Sequence, residues 1–293
     1  MANTSPRARR RWSPARRPRP PSPSPCRSTP PPPRGSRGLT QCRSRRRWAY
    51  ASAARPPETT VTDWPSPNHG DRRGQQPSLI VIHYTGMADG PQARARLCDP
   101  SAEVSAHWLI AADGTTEQLV CETRRAWHAG AGAWQGLDDV NSRSIGIELD
   151  NPGDRPFPAP QMTALRRLLR TIMARWSIPP AAVIAHSDLA PGRKIDPGPR
   201  FDWEGLARDG LALFARPDPA DPTPALDHSL TALGYPDHPA RLDAFRLRHR
   251  PWASGRATPA DRRTAARLLL HANIPGESRL RDGGSAPPLT PPP

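Results

Sequence analysis

SIGIELDNPGDRPFPAPQMTALRRLLRTIMARWSIPPAAVIAH, residues 144–186, changes its hydrophobic period twice. Over its first seven residues Ile145, Ile147 and Leu149 alternate with Gly146 and Glu148, which is the period of a strand and turns Glu148 away from the isoleucines. From Gln161 to Trp176 the apolar residues Met162, Leu165, Leu168, Leu169, Ile172, Met173 and Trp176 recur at three and four. That is the stripe of an amphipathic helix entered from a proline-bounded loop. AVIAH, 182–186, returns to strand. Upstream, SLIVIHYT (78–85) is a short β-branched run suited to a buried strand, and AHWLIAADGTTEQLV (106–120) is two such runs about Asp113-Gly114, a hairpin turn pair. Strands on both sides of a helix, with a hairpin between them, predict an α/β fold: a mixed β-sheet flanked by helices.

The 293 residues are unevenly composed. Residues 1–57 hold fifteen of the 42 basic residues and no acid, so the remaining 27 bases balance all 27 acids and the net charge of +15 belongs to this Arg/Pro-rich tail. The tail is expected to be disordered and not to belong to the natural protein, with translation starting near Val61. The rest of the chain is formally neutral, which gives no electrostatic support for nucleic-acid binding by the folded core. No apolar run is long enough for a transmembrane segment, and no export signal is recognisable behind the basic start. Cys98 and Cys121 lack metal-type spacing and read as ordinary thiols.

The larger folded part is expected over 58–215, followed by a Pro-rich linker (216–224), a small three-helix C-terminal domain (225–275) and a second disordered tail (276–293). In the last helix Thr258 is placed to cap, Pro259 to occupy the first turn and Asp261 to complement the positive helix end.

Of nine histidines, His69, His228, His238, His249 and His271 fall in loops or on polar helix faces and are assigned nothing. His83 and His186 each end an apolar strand, and Asp196 follows ten residues after His186 in a loop stiffened by Pro191 and Pro197. Two imidazoles and a carboxylate can hold one Zn2+ and leave a fourth position open. Spacing alone does not separate such a site from structural histidines that are merely satisfied. Nearby stands Lys194, the one lysine in a chain that otherwise uses arginine, at a position where a compact ammonium would matter.

Five ordered motifs, VIHYTGM, VSAHWLIAADGT, RRAWHAGAGAWQG, NSRSIGIELDNPG and AHSDLAPGRKIDPGPRFDW, resemble the zinc-dependent N-acetylmuramoyl-L-alanine amidases of the amidase_2 (AmpD- and AmiD-like) family from about Trp64 to Trp203. The resemblance implies that His83, His186 and Asp196 ligate zinc and that Glu148 and Lys194 are the catalytic pair. It implies further that His128, with Trp127, Tyr84 and Arg193, lies in the groove for a peptidoglycan or muropeptide substrate. LDAFRLRHRPWASGRATPADRRTAARLLL is similar to the second half of a three-helix peptidoglycan-binding domain; its alternative is a helical extension packed on the catalytic part. Tyr84 and Glu103 depart from the pattern of the anhydro-muropeptide recycling branch and favour the broader AmiD-like branch. Substrate class and the wall-binding-like unit favour the cell envelope, and the lack of a recognisable signal keeps the cytoplasm open. A non-catalytic peptidoglycan-recognition module on the same fold is the rival reading; it predicts a missing ligand or a missing Glu and Lys pair, and neither is missing.

Overall fold

The computed structural model describes residues 61–63 and 65–272, so both expected disordered tails, 1–57 and 276–293, lie outside the described residues. In chain order the strands are β1 (Val61–Asp63), β2 (His69–Gly70), β3 (Leu79–Tyr84), β4 (Trp108–Ile110), β5 (Thr116–Gln118), β6 (Arg125–Ala126), β7 (Ser144–Leu149) and β8 (Val183–Ala185). The helices are α1 (Gly90–Leu97), α2 (Val140–Arg143), α3 (Ala159–Trp176), α4 (His186–Leu189), α5 (Trp203–Arg208), α6 (Leu226–Leu233), α7 (Arg241–His249) and α8 (Pro259–His271).

Six strands form one sheet in the order β1-β5-β4-β7-β3-β8. The β4–β5 hairpin is the antiparallel element of this sheet, and its other neighbours pair in parallel. The sheet is therefore mixed and flanked by helices. Leu79 to Ile82, Ile145, Ile147 and Leu149 are buried, as befits central parallel strands covered on both faces. The predicted stripe of α3 packs on this core: Met162, Leu165, Leu169 and Ile172 are buried, while Leu168, Met173 and Trp176 are partly covered.

Register matters more to function than the strand count. β3 lies between β7 and β8, with Ile82 opposite Ile147 and Ala185, and the next row sets His83 opposite Glu148. All three strands run the same way, so their carboxyl ends open on one edge, where open α/β sheets place their ligands. His186 is the first residue of the α4 turn rather than the last of β8, which puts its side chain just beyond the sheet edge.

At the C-terminal end, α6, α7 and α8 share one apolar cluster with the sheet: Leu230, Tyr235, Phe245 and Leu268 belong to the same core as Ile80 and Leu165. Thr258 caps α8 in a reciprocal box with Asp261, and Pro259 opens its first turn. Burial along α7 departs from the sequence reading. Arg246, Arg248 and His249 are buried, and His249 stacks between Phe214 and Phe245 instead of lying on a polar face. Each arginine is compensated by a carboxylate, Arg246 by Asp261 at 2.7 Å and Arg248 by Asp188 at 3.0 Å, which is what allows charged side chains so far inside. No disulfide links Cys98 and Cys121.

Candidate active site

His83 near the end of β3, His186 at the start of α4 and Asp196 in the following loop converge from separate elements. His83 Nδ1 is 2.9 Å from His186 Nδ1 and 3.1 Å from Asp196 Oδ2, and His186 Nδ1 is 3.0 Å from the same oxygen. Three donor atoms this close, with all three residues buried, form the one group among the described residues able to hold a metal ion.

Whether these atoms can act as ligands depends on where the protons sit, and the surrounding hydrogen bonds decide it. The Val140 carbonyl can only accept, so the Ser144 hydroxyl donates to it at 2.5 Å. Ser144 Oγ is then free to accept from His128 Nε2–H at 3.1 Å, and His128 Nδ1 accepts from His83 Nε2–H, also at 3.1 Å. His83 Nδ1 is left with its lone pair facing the cluster. The second ligand is set the same way: His186 Nε2–H donates to the Ala129 carbonyl at 3.0 Å, so in the neutral ring Nδ1 carries the lone pair. Orienting partners of this kind are what a histidine ligand requires. Burial, and then neighbouring His186, push His83 down to about 4, while burial with His83 and His107 alongside holds His128 well below the usual imidazole value. Both are neutral at neutral pH, as the relay and metal binding demand. Two imidazoles and one carboxylate match the donor set of a catalytic zinc centre, so the residues fit the ion.

Gly146 makes room for the relay. A Cβ there would stand 2.4 Å from His128 Cγ, so the gap in the alternating strand is the space the imidazole fills. Asn141 Oδ1 accepts from the backbone N–H groups of His128 and Ala129 at 3.0 and 2.8 Å and fixes the loop that carries both the relay and the acceptor for His186. His107 accepts from Gly146 N–H at 2.9 Å on the other side of the strand pair. Sequence reasoning singled out none of Asn141, Ser144, Gly146 and His107 for these roles. Each does lie inside a motif quoted for the resemblance, and their signal was small or polar residues interrupting apolar strands.

A cleft of about 510 Å³ opens over the cluster, lined by Tyr84, Trp127, His128, Glu148, Arg193, Lys194 and the three candidate ligands. Arg193 donates to the carbonyls of Ala129 at 2.7 Å and of Ala131, bracing the loop that also serves His186. Tyr84 closes over Gly153, where a Cβ would come 2.8 Å from its ring. Glu148 is half-buried on the cleft floor, and its Oε2 is buried without a hydrogen-bond partner. Burial first, and then the charge of Asp196, push its carboxyl up to about 8, with Lys194 pulling the other way. A raised carboxylate with a vacant lone pair, in a cleft beside a metal-type cluster, is suited to proton transfer.

With this geometry in place, the chain can be assigned to a class: it belongs to the N-acetylmuramoyl-L-alanine amidase family, whose model matches residues 73–199. It is 37% identical over 229 residues to the N-acetylmuramoyl-L-alanine amidase AmiD of Escherichia coli (strain K12), which spans 66% of this chain and 82% of that protein. The 1,6-anhydro-N-acetylmuramyl-L-alanine amidase AmpD of Enterobacter cloacae is 37% identical over 157 residues, 47% of this chain and 84% of that one. The solved structure of E. coli AmiD with anhydro-N-acetylmuramic acid-L-Ala-D-gamma-Glu-L-Lys aligns with a TM-score of 0.61 at 34% identity, covering 70% of this chain and 92% of that chain.

Two outcomes follow. Gly146→Ala should displace His128 and weaken zinc binding by about tenfold, in the range seen when an outer partner of a ligating histidine is lost; unchanged affinity in a chelator competition would show that the relay does not orient His83. For Glu148, the folded carboxyl binds its proton more tightly than the unfolded one, so stability falls as pH rises from about 4.5 to about 8. Metal-free Glu148→Gln protein should therefore gain Tm over wild type progressively across that window, and a pH-independent difference would contradict the raised pKa.

Proposed function

We propose that this protein is a zinc-dependent N-acetylmuramoyl-L-alanine amidase that hydrolyses the amide joining the lactyl group of N-acetylmuramic acid to L-alanine in peptidoglycan or its muropeptides. The observation that carries the reading is the convergence of two correctly protonated imidazoles and one carboxylate beneath a cleft whose floor holds a buried carboxylate oxygen with no partner. Zinc held by His83, His186 and Asp196 supplies Lewis acidity, polarising the scissile carbonyl and activating water.

Glu148 has the position and the proton affinity to do the rest of the acid–base work. It takes a proton from the attacking water as the new C–O bond forms, then delivers that proton to the nitrogen as the C–N bond breaks, leaving a lactyl carboxylate and a free L-alanine amine. With zinc held at His83, His186 and Asp196, the Glu148 carboxyl would be favoured in its ionised form, ready to accept that proton. Lys194 brings an ammonium to the cleft wall, where it can stabilise negative charge developing on the carbonyl oxygen. Tyr84 and Trp127 line the cleft as apolar walls for the sugar and stem peptide, while Arg193 and His128 support the loop and the ligand behind it.

We further assign the catalytic part to 58–215 and a wall-binding-like unit to 225–275. What supports the second is an alignment to AmiD that covers 66% of this chain, more than the catalytic part alone, together with Trp252, 66% exposed in the α7–α8 loop. Contact with polymeric wall would raise the effective concentration of substrate at the cleft, which fits action at the cell envelope.

Purified anhydro- and intact muropeptides incubated with the protein, with and without a zinc chelator, should release free stem peptide by mass spectrometry only without chelator. Zinc-loaded protein that releases none would be a recognition module instead. His83→Ala should lose metal and activity together, and Glu148→Ala should keep zinc and lose turnover. Lys194→Arg should lower kcat by about a hundredfold or more, the loss expected when an oxyanion donor is removed; ordinary turnover would remove Lys194 from the machinery.

A further inference from the structure

Asp188 is fully buried two residues beyond His186, in the same α4 turn, and its carboxylate gathers donors from two distant parts of the chain. Its Oδ2 accepts from the backbone N–H of Ala185, the residue just before His186, at 2.9 Å. The same oxygen takes Arg248 Nη1 at 3.0 Å, and Oδ1 takes the Tyr235 hydroxyl at 2.9 Å. Tyr235 follows α6 and Arg248 lies in α7, so both donors come from the C-terminal helices. Each is itself held: Arg248 Nη2 donates to the Leu213 carbonyl at 2.7 Å and its guanidinium lies 4.0 Å from the centre of the Trp203 ring, while Tyr235 packs edge-on against Trp134 and Phe245.

A carboxylate this deeply buried is stable only while its charge is fully compensated. Taking away one of its donors leaves a buried charge short of compensation, which favours displacement of the α4 turn toward solvent, and His186 moves with that turn. The segment is also held by single hydrogen bonds, from His186 Nε2 to the Ala129 carbonyl, from Ser187 N–H to the Asp196 carbonyl at 3.0 Å and from Ala133 N–H to the Leu189 carbonyl at 3.0 Å, and by the buried Leu189 side chain, but none of these compensates the Asp188 charge. Metal sites tolerate displacements of only about 0.5 Å.

We propose that Tyr235 and Arg248 are positioning residues of the zinc centre, acting through Asp188 on the backbone that presents His186, so that the C-terminal helices complete the metal site. The proposal rests on the zinc reading above. It gives the C-terminal unit a role that a wall tether alone would not have.

The test uses the full chain, stripped of metal and titrated with zinc against a chromophoric chelator, and with Co2+ followed by its visible absorption. Tyr235→Phe keeps the ring and removes one donor; it should weaken zinc about tenfold and change the cobalt spectrum. Arg248→Met should weaken it further, and Arg248→Lys, which restores the charge without the fork, should recover part of the loss. Asp261→Asn is the control: it breaks the buried Arg246–Asp261 pair within the same helices and lowers Tm, yet leaves Asp188 untouched. It should keep wild-type zinc affinity within about twofold, well under the outer-partner effect. Wild-type affinity and spectrum in Tyr235→Phe, or an equal loss in Asp261→Asn, would overturn the proposal. Failure of the wild-type protein to bind one zinc would instead overturn the reading on which it rests.

Discussion

The site depends on a constraint of direction. A backbone carbonyl can only accept, and two of them, Val140 and Ala129, set the protons of the whole cluster. From Val140 the assignment passes through Ser144 and His128 to His83; from Ala129 it reaches His186 directly. Each imidazole, in its neutral form, thereby faces inward with the lone pair on Nδ1, and Asp196 completes a set of three donors suited to a cation. Reversing any link would turn a ligand into a donor and close the site to metal.

The sheet makes this constraint cheap to meet. Because β3, β7 and β8 are adjacent and parallel, one row of the register brings His83 and Glu148 together and the next turn of chain adds His186. The chemistry is thus delivered by the ends of three rigid, buried strands, and Lys194 and Asp196 are added by one loop. Gly146 belongs to the same design: a strand that must carry Glu148 on one side and accommodate His128 against its backbone has no room for a side chain between them.

Much of this was legible in the sequence, for physical reasons. The three-four stripe ending at Trp176 reports burial directly, since the helix hides one face on the sheet, whereas the alternation in SIGIELD identifies a strand that is in fact covered on both faces. Thr258 and Asp261 announce the start of α8 because a cap is a local interaction, complete within four residues. His83 and His186 stood out as candidates at the ends of apolar runs, but it was the family resemblance, not their spacing, that singled them out with Asp196 as metal donors. What the sequence hid were side chains whose partners lie far along the chain. Asp188 finds Tyr235 and Arg248 some 47 and 60 residues away, and an arginine destined for burial looks like any surface arginine until its carboxylate is placed beside it. That is why His249 was assigned to a loop or a polar helix face, while Arg246, Arg248 and His249 are all buried.

The most direct test of the account is a crystal structure of the zinc-loaded protein, with anomalous data collected on both sides of the zinc edge. The account predicts one strong anomalous peak bound by Nδ1 of His83, Nδ1 of His186 and a carboxylate oxygen of Asp196, with His128 still bridging His83 to Ser144. Coordination through Nε2 of either histidine, or a zinc bound elsewhere while this cluster stays closed on itself, would contradict it.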